Sequence, residues 1–232
     1  MKEKLSLVLF TLLAQAGVGL AVVAQVLGTS GDGTRLAHGI ALGLTALGLA
    51  VACTDLGTPL GAHRAIFILR TSWLSRECLL LGAFLGLGAL TVALELTGAA
   101  SLAAKAGWLW IALGLAGLFS MASIYGRTAI PAWRMVHTHV SFFTAAVSLG
   151  GVTFALLASP REPAGMWALV LAAGAVVLQL AEGPAYLIAL WKGDGAAQAS
   201  LRRLNTLPLW GGMAFTLAGG LGFPLLAHAF TG

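Results

Sequence analysis

The chain has 232 residues, of which 59% are hydrophobic and only 9% are charged. With a mean hydropathy of +0.93, it carries more apolar side chains than a water-soluble core can enclose, so its composition predicts an integral membrane protein. The formal net charge of +5 does not indicate nucleic-acid binding, because the basic residues are scattered through short polar segments and form no tail or stripe. Membrane lipid and an acidic protein surface are the expected partners.

In chain order, seven apolar runs are long enough to cross a bilayer as helices. The short segments between them leave no room for strands or a soluble domain, so the predicted fold is an all-α, polytopic transmembrane bundle forming one domain over residues 1–232. In the second run, Gly39 and Gly43 form a GxxxG pattern that favours close helix contact. The predicted spans are residues 5–27, 36–54, 73–96, 107–125, 135–158, 166–191 and 207–229.

The basic residues also predict an orientation. If the seven runs alternate in direction, ten Lys and Arg residues lie on the face that carries the N-terminus and three lie on the other. Cytoplasmic loops are enriched in Lys and Arg, so we expect the N-terminus inside and the C-terminus outside. The long polar connection between the second and third runs is then also cytoplasmic.

That connection, residues 55–77, is the most polar stretch of the chain. Ser72 is a predicted N-cap of the third helix, which places Glu77 about one and a half turns inside the membrane. An ionisable residue at that depth is a functional candidate, and the alternative is a structural ion pair with Arg70 or Arg76. The other polar side chains of the connection include Asp55, His63 and Arg64.

A second polar cluster is expected on the same face, between the fourth and fifth spans. His137 and His139 are two positions apart, so they cannot both point to one site on a helix and do not form a paired metal or haem ligand set. No metal site is predicted. The cluster consists of Tyr125, Arg127, Trp133, Arg134, His137 and His139.

Three further ionisable residues lie within or at the ends of spans. Glu182, close to Pro184, could serve proton movement or be a hydrogen-bonded structural acid at a kink, and the structural interpretation is favoured. Glu95 lies at a helix end and is expected to be solvated. His38 lies near the opposite face, where a haem shared with His228 is left open.

Two motifs resemble the DmsC family, the membrane anchor subunits of dimethyl sulfoxide reductase-type molybdoenzymes. The first comprises Asp55-Leu-Gly-Thr-Pro, Arg64-Ala and Arg70-Thr-Ser-Trp-Leu-Ser-Arg-Glu77, and the second is Tyr125-Gly-Arg-Thr-Ala-Ile-Pro-Ala-Trp133. The resemblance covers roughly residues 1–160.

It implies a multi-pass protein of a prokaryotic inner membrane, in anaerobic respiration, with no cofactor of its own. Such a subunit binds menaquinol or ubiquinol and passes electrons between the quinone pool and a four-cluster iron-sulfur subunit, which serves a molybdopterin catalytic subunit. The chain itself would oxidise quinol without acting on the terminal substrate.

The resemblance also assigns roles to residues. Glu77 matches the acidic residue of the family's Ser-x-Glu motif at the quinol site, whereas Asp55 stands where the family commonly has histidine. The second proton acceptor is therefore either Asp55 or His63. The expected slot lies between the second, third and fourth helices, with Trp73, Tyr125, Trp133, His137 and His139 as pocket candidates. The residues expected to face the partner or the quinol are Arg64, Arg70, Arg76, Arg127 and Arg134.

Two other functions remain open from the residues alone. A small secondary transporter or proton channel would use Glu182 and Asp55, but the charges crowd one face instead of the midplane and no matched pair of broken helices is apparent. A haem-b cytochrome anchor is the other alternative.

Overall fold

A computed structural model gives the architecture of the chain. Within the residues that it describes, the regular structure is entirely helical, with six long helices followed by a short one. The helices are α1 (Lys2–Leu27), α2 (Asp32–Thr54), α3 (Trp73–Leu96), α4 (Ala100–Gly126), α5 (Val136–Leu157), α6 (Pro163–Lys192) and α7 (Gly195–Arg203). The structure describes residues 2–28, 32–54, 69–70, 72–127, 136–158 and 162–203.

Helices α1 to α6 are each long and apolar enough to cross a membrane. The shortest, α5, has 22 residues, and a rise of about 1.5 Å per residue gives it about 33 Å, slightly more than the hydrocarbon core of a bilayer. These six helices confirm the predicted all-α bundle and six of its spans. The seventh predicted span, residues 207–229, lies outside the described residues.

Helix α1 lies at the centre of the bundle. It packs along α2 on one side and α5 on another, and it also touches α4 and α6, while α3 pairs with α4 and α5 pairs with α6. The tightest approach joins α1 to α5, where a Cβ atom on Gly19 would overlap the backbone of Ala146 and one on Gly150 would overlap the backbone of Gly19. Glycine therefore sets the spacing of these two helices, as small residues commonly do in membranes.

The structure differs from the predicted spans in two places. The fourth span was predicted to begin at residue 107, but α4 already begins at Ala100, and the turn is confined to residues 97–99 with Gly98 at φ +79°. The stretch that follows is rich in alanine, the strongest helix former, and lacks a helix breaker. The segment between the sixth and seventh predicted spans contains α7, whose first turn is capped by a hydrogen bond of 2.9 Å from Ala197 N to Asp194 Oδ1.

The GxxxG pattern of α2 does not serve the contact that was expected of it. Gly39 and Gly43 are exposed, and a Cβ atom at either position would meet no atom of the described chain within 4 Å. The close contact of α2 with α1 occurs instead at Gly17, which lies against Thr45 and the carbonyl of Ala41. The spacing of the two glycines identified a face of small residues on α2, but it did not show which face of α2 packs against α1.

Candidate functional site

The first turn of α3 is held in place by its own polar residues. Ser72 is the N-cap, and its Oγ accepts a hydrogen bond of 3.2 Å from Ser75 N, which confirms the predicted helix start. Arg76 turns back toward the connection, where its Nε donates to Leu69 O at 2.7 Å and its Nη2 donates to Arg70 O at 2.9 Å. Arg76 therefore ties the end of the polar connection to the helix.

Trp73 joins this turn to the end of α4. The guanidinium carbon of Arg76 lies 4.4 Å from the centre of the indole ring, and that of Arg127 lies 5.2 Å from it. Such cation–π contacts contribute about 0.5–1 kcal/mol each at exposed sites. The Trp73 carbonyl also accepts a hydrogen bond of 2.9 Å from Ser120 Oγ. These contacts join the start of α3 and the last turns of α4 into one corner.

Glu77 lies one turn further along the same face of α3. Its side chain is only 3% exposed, so it is buried between the helices. Its Oε1 is buried and has no hydrogen-bond partner among the described residues. The alternative ion pair is not formed with either described arginine, because Arg76 is engaged by backbone carbonyls and Arg70 is exposed. A buried carboxyl oxygen without a partner costs free energy and is uncommon in folded proteins.

An aromatic row connects the corner to α5. The rings of Trp73 and Phe119 are 6.0 Å apart between centroids, and Phe119 and His139 follow at 5.1 Å. His139 Nε2 lies 3.2 Å from Ser123 Oγ, within hydrogen-bond distance. The structure therefore places two of the predicted pocket residues, Trp73 and His139, on one wall.

Tyr125 belongs to a neighbouring slot. Its ring packs on Phe142 at 5.5 Å, and both line an apolar cavity of about 310 Å³ between α1, α4 and α5. Thr11 and Thr138 also line it. This cavity is on the face that carries the connection, but it is formed by a different set of helices from the slot that was expected.

His137 points away from His139, as predicted from their spacing. Its Nδ1 lies 3.1 Å from Glu182 Oε1, and Ser141 Oγ donates to Glu182 Oε2 at 3.2 Å. Both carboxyl oxygens of Glu182 therefore have partners on α5, which supports the structural interpretation of this acid. Across the residues that the structure describes, no group of three His, Cys, Asp or Glu side chains could hold a metal ion.

The remaining candidates divide into two groups. Arg70 and Arg127 are exposed at the ends of their segments. The other predicted residues, Asp55, His63, Arg64, Trp133 and Arg134, lie outside the described residues.

Comparison with known proteins decides the family. A family profile described as DMSO reductase anchor subunit (DmsC) matches residues 1–193. The chain belongs to the DmsC family. It is 26% identical over 192 residues to the anaerobic dimethyl sulfoxide reductase chain YnfH of Escherichia coli (strain K12), a match that covers 75% of this chain and 67% of that protein. No solved structure matches.

This DmsC-family chain is therefore a multi-pass membrane anchor subunit of a DMSO reductase-type molybdoenzyme complex. The described parts of the motifs on which the resemblance was based, residues 70, 72–77 and 125–127, lie at the start of α3 and the end of α4. Family membership favours the anchor over a transporter or a haem-b cytochrome.

The structure contains a second polar site, between α2 and α3, that was not predicted from the sequence. His38 Nδ1 lies 2.7 Å from Glu95 Oε1, so the expectation that Glu95 is solvated is wrong. His38 is 2% exposed and Glu95 is 15% exposed. The two residues lie at helix ends that a hairpin topology places on one face, and this was the available signal. The lateral packing that brings α2 and α3 together there cannot be inferred from spacing.

Two cysteines flank the polar connection of this DmsC-family chain. Cys53 lies in the last turn of α2 and Cys78 in the second turn of α3. Both are free thiols with exposed side chains.

Proposed function

We propose that this anchor subunit binds a quinol at the corner formed by α3 and α4 and that Glu77 accepts a proton from it. The observation that carries the proposal is the buried carboxyl oxygen of Glu77, which has no described partner although it lies about one and a half turns into the apolar helix α3. A quinol hydroxyl is a donor that reaches such a depth from the lipid phase. A bond from that hydroxyl satisfies the carboxylate.

Oxidation of one quinol releases two protons and two electrons. Glu77 takes one proton, and either Asp55 or His63 takes the other. The two electrons pass to an iron-sulfur subunit and from there to a molybdopterin catalytic subunit. The Trp73–Phe119–His139 row supplies an aromatic wall beside the ring, which suits a mostly apolar pocket with few polar groups.

The same corner supplies a docking surface for the iron-sulfur subunit. Arg70 and Arg127 are exposed there, and a complementary acidic surface would be steered toward them. Arg76 has another role, because its guanidinium donates to two backbone carbonyls and packs on Trp73. We therefore propose that Arg70 and Arg127 contact the iron-sulfur subunit. Arg76 instead stabilises the conformation of the corner. Placement of this face in the cytoplasm, at the inner membrane, stays a prediction from the charge distribution.

Glu77→Gln in the assembled complex tests the proton acceptor. The amide has the same shape and keeps an acceptor oxygen but cannot take a proton, so quinol-dependent reduction of the partner's clusters should slow by about 100-fold or more. The measurement is the rate of cluster reduction after addition of quinol, with co-purification of the subunits as the check on assembly.

Glu182→Gln is the matched control. Glu182 is also a largely buried acid in a spanning helix, but both of its oxygens already have partners on α5. Its amide variant should reduce the clusters at close to the original rate. If Glu77→Gln reduces the clusters at an unchanged rate, or if both variants lose the same amount of that rate, Glu77 is not the proton acceptor of the quinol site.

A further inference from the structure

A polar cavity lies at the end of the bundle opposite to Glu77. It has a volume of about 280 Å³ and is enclosed by the last turn of α1, the start of α2, the end of α3 and the start of α4. The proposed quinol site uses none of its residues. Its polar lining consists of Gln25, Thr34, Arg35, His38 and Glu95.

Two lining residues each have a buried polar atom without a hydrogen-bond partner among the described residues. His38 Nδ1 and Glu95 Oε1 are bonded to each other at 2.7 Å, but His38 Nε2 and Glu95 Oε2 are buried and have no partner among the described residues. Trp110 packs edge-on against the imidazole at 5.1 Å and 82°, which fixes the ring. In the neutral ring, a donating Nδ1 leaves Nε2 as an acceptor, so the pair offers two acceptor atoms. Groups of this kind are normally satisfied by a donor.

Small residues keep the cavity open. Gly28, Gly98, Ala24 of α1 and three alanines of α4 form the rest of its wall. Gly107 on α4 lies so close to the Gln25 amide that a Cβ atom there would overlap it. The absence of a side chain at position 107 therefore lets the Gln25 amide lie against α4 beside the cavity.

The depth and size of the cavity select the kind of ligand. Its lining residues lie within about two turns of the helix ends, which is the level of lipid head groups. A volume of about 280 Å³ is just below the range of about 300–1,000 Å³ that encloses a drug-sized molecule. It suits a head group whose acyl chains remain outside, between lipid-facing side chains.

We propose that this cavity binds the head group of an aminophospholipid. A primary ammonium carries three N–H donors and a positive charge, which suit the two free acceptors of His38 and Glu95. Arg35 lines the same cavity and is exposed, so it supplies a cation for the lipid phosphate. A lining that includes both a cation and a carboxyl group matches a zwitterionic head group better than an anionic one, which Glu95 would repel. The proposal does not depend on the quinol site.

The unaltered complex provides the first test. The subunits are purified together, stripped of lipid and titrated with phosphatidylethanolamine or with phosphatidylcholine of the same acyl chains, and bound lipid is counted by native mass spectrometry. The trimethylated head group has no N–H donor, so the ethanolamine lipid should bind at one site at least about tenfold more tightly. Equal affinity for the two lipids would overturn the proposal.

A variant then assigns that preference to the cavity. Glu95→Gln keeps an oxygen that accepts from His38 but removes the negative charge, so the preference for ethanolamine should fall to about twofold or less. Glu182→Gln alters the comparable acid on α6 and should leave the preference unchanged. A preference that persists in Glu95→Gln would place the lipid elsewhere.

A quinol analogue distinguishes this site from the proposed quinol site. In a complex that carries Glu77→Gln, the analogue should not displace the bound lipid. Displacement of one lipid by one analogue would assign the cavity to quinol and overturn the proposal. Loss of quinol activity in Glu77→Gln with an intact lipid site would support both proposals independently.

Discussion

The contact between α1 and α5 can be tested by adding a single methyl group. In Gly150→Ala, the new carbon would overlap the backbone of Gly19 on α1. A backbone cannot rotate out of the way as the end of a flexible side chain can, so the two helices must move apart. Because α5 carries His139 to the candidate site, this contact positions part of that site as well as stabilising the bundle.

The expected size of the effect follows from two opposing terms. Overfilling a close-packed contact typically costs about 1–3 kcal/mol. Replacing glycine by alanine inside a helix raises the free energy of unfolding by up to about 1 kcal/mol, because alanine has the higher helix propensity. Because the neighbouring atoms at Gly150 are backbone, the steric cost is expected in the upper part of its range. The free energy of unfolding should therefore fall by about 1–2 kcal/mol.

The assay is reversible unfolding of the purified chain in mixed micelles, with helical content as the signal. Gly43→Ala is the matched control, since it makes the same chemical change in a spanning helix where no described atom lies within 4 Å. The control should be neutral or more stable by up to about 1 kcal/mol. Equal stability of the two variants would refute the close contact of α1 with α5.

Two further predictions concern the corner at α3 and α4. Arg70→Glu should release the soluble subunits from membranes at ordinary salt, because it places a negative charge in the proposed docking surface. Lys105→Glu, at the opposite end of the bundle, should leave the soluble subunits bound to the membranes. If the soluble subunits stay bound in both variants, the docking role of Arg70 is contradicted. Trp73→Leu should lower the free energy of unfolding by about 1–2 kcal/mol through loss of two guanidinium contacts. Trp108→Leu, at an exposed position, should change it by about 0.5 kcal/mol or less.

The sequence predicted the spans well because a long apolar run has few alternatives to a membrane helix. The start of α3 could be placed at a single residue, since Ser72 combines a capping side chain with a change from polar to apolar sequence. The start of α4 was placed several residues too late because the predicted span was begun at residue 107, although the alanine-rich stretch before it also favours a helix. Length and capping are local properties, and local properties are what a single sequence reveals.

The lateral arrangement of the helices could not be predicted. His137 and His139 were correctly expected to diverge, because this follows from helix geometry alone. The partners they reach, Glu182 and Ser123, depend on which helices are neighbours. The His38–Glu95 pair was missed for the same reason, since the hairpin topology places both residues on one face but does not show that α2 and α3 are neighbours there.

The positions of Cys53 and Cys78 make the polar connection accessible to spectroscopy. They are the two cysteines of the 232-residue chain, both are free and exposed, and they flank the segment that separates α2 from α3. Spin labels on the native thiols would therefore report the separation of the two helix ends without any engineered substitution. A change in that separation on addition of the soluble subunits would show that docking moves the two helix ends. An unchanged separation would show that the subunits bind without moving them.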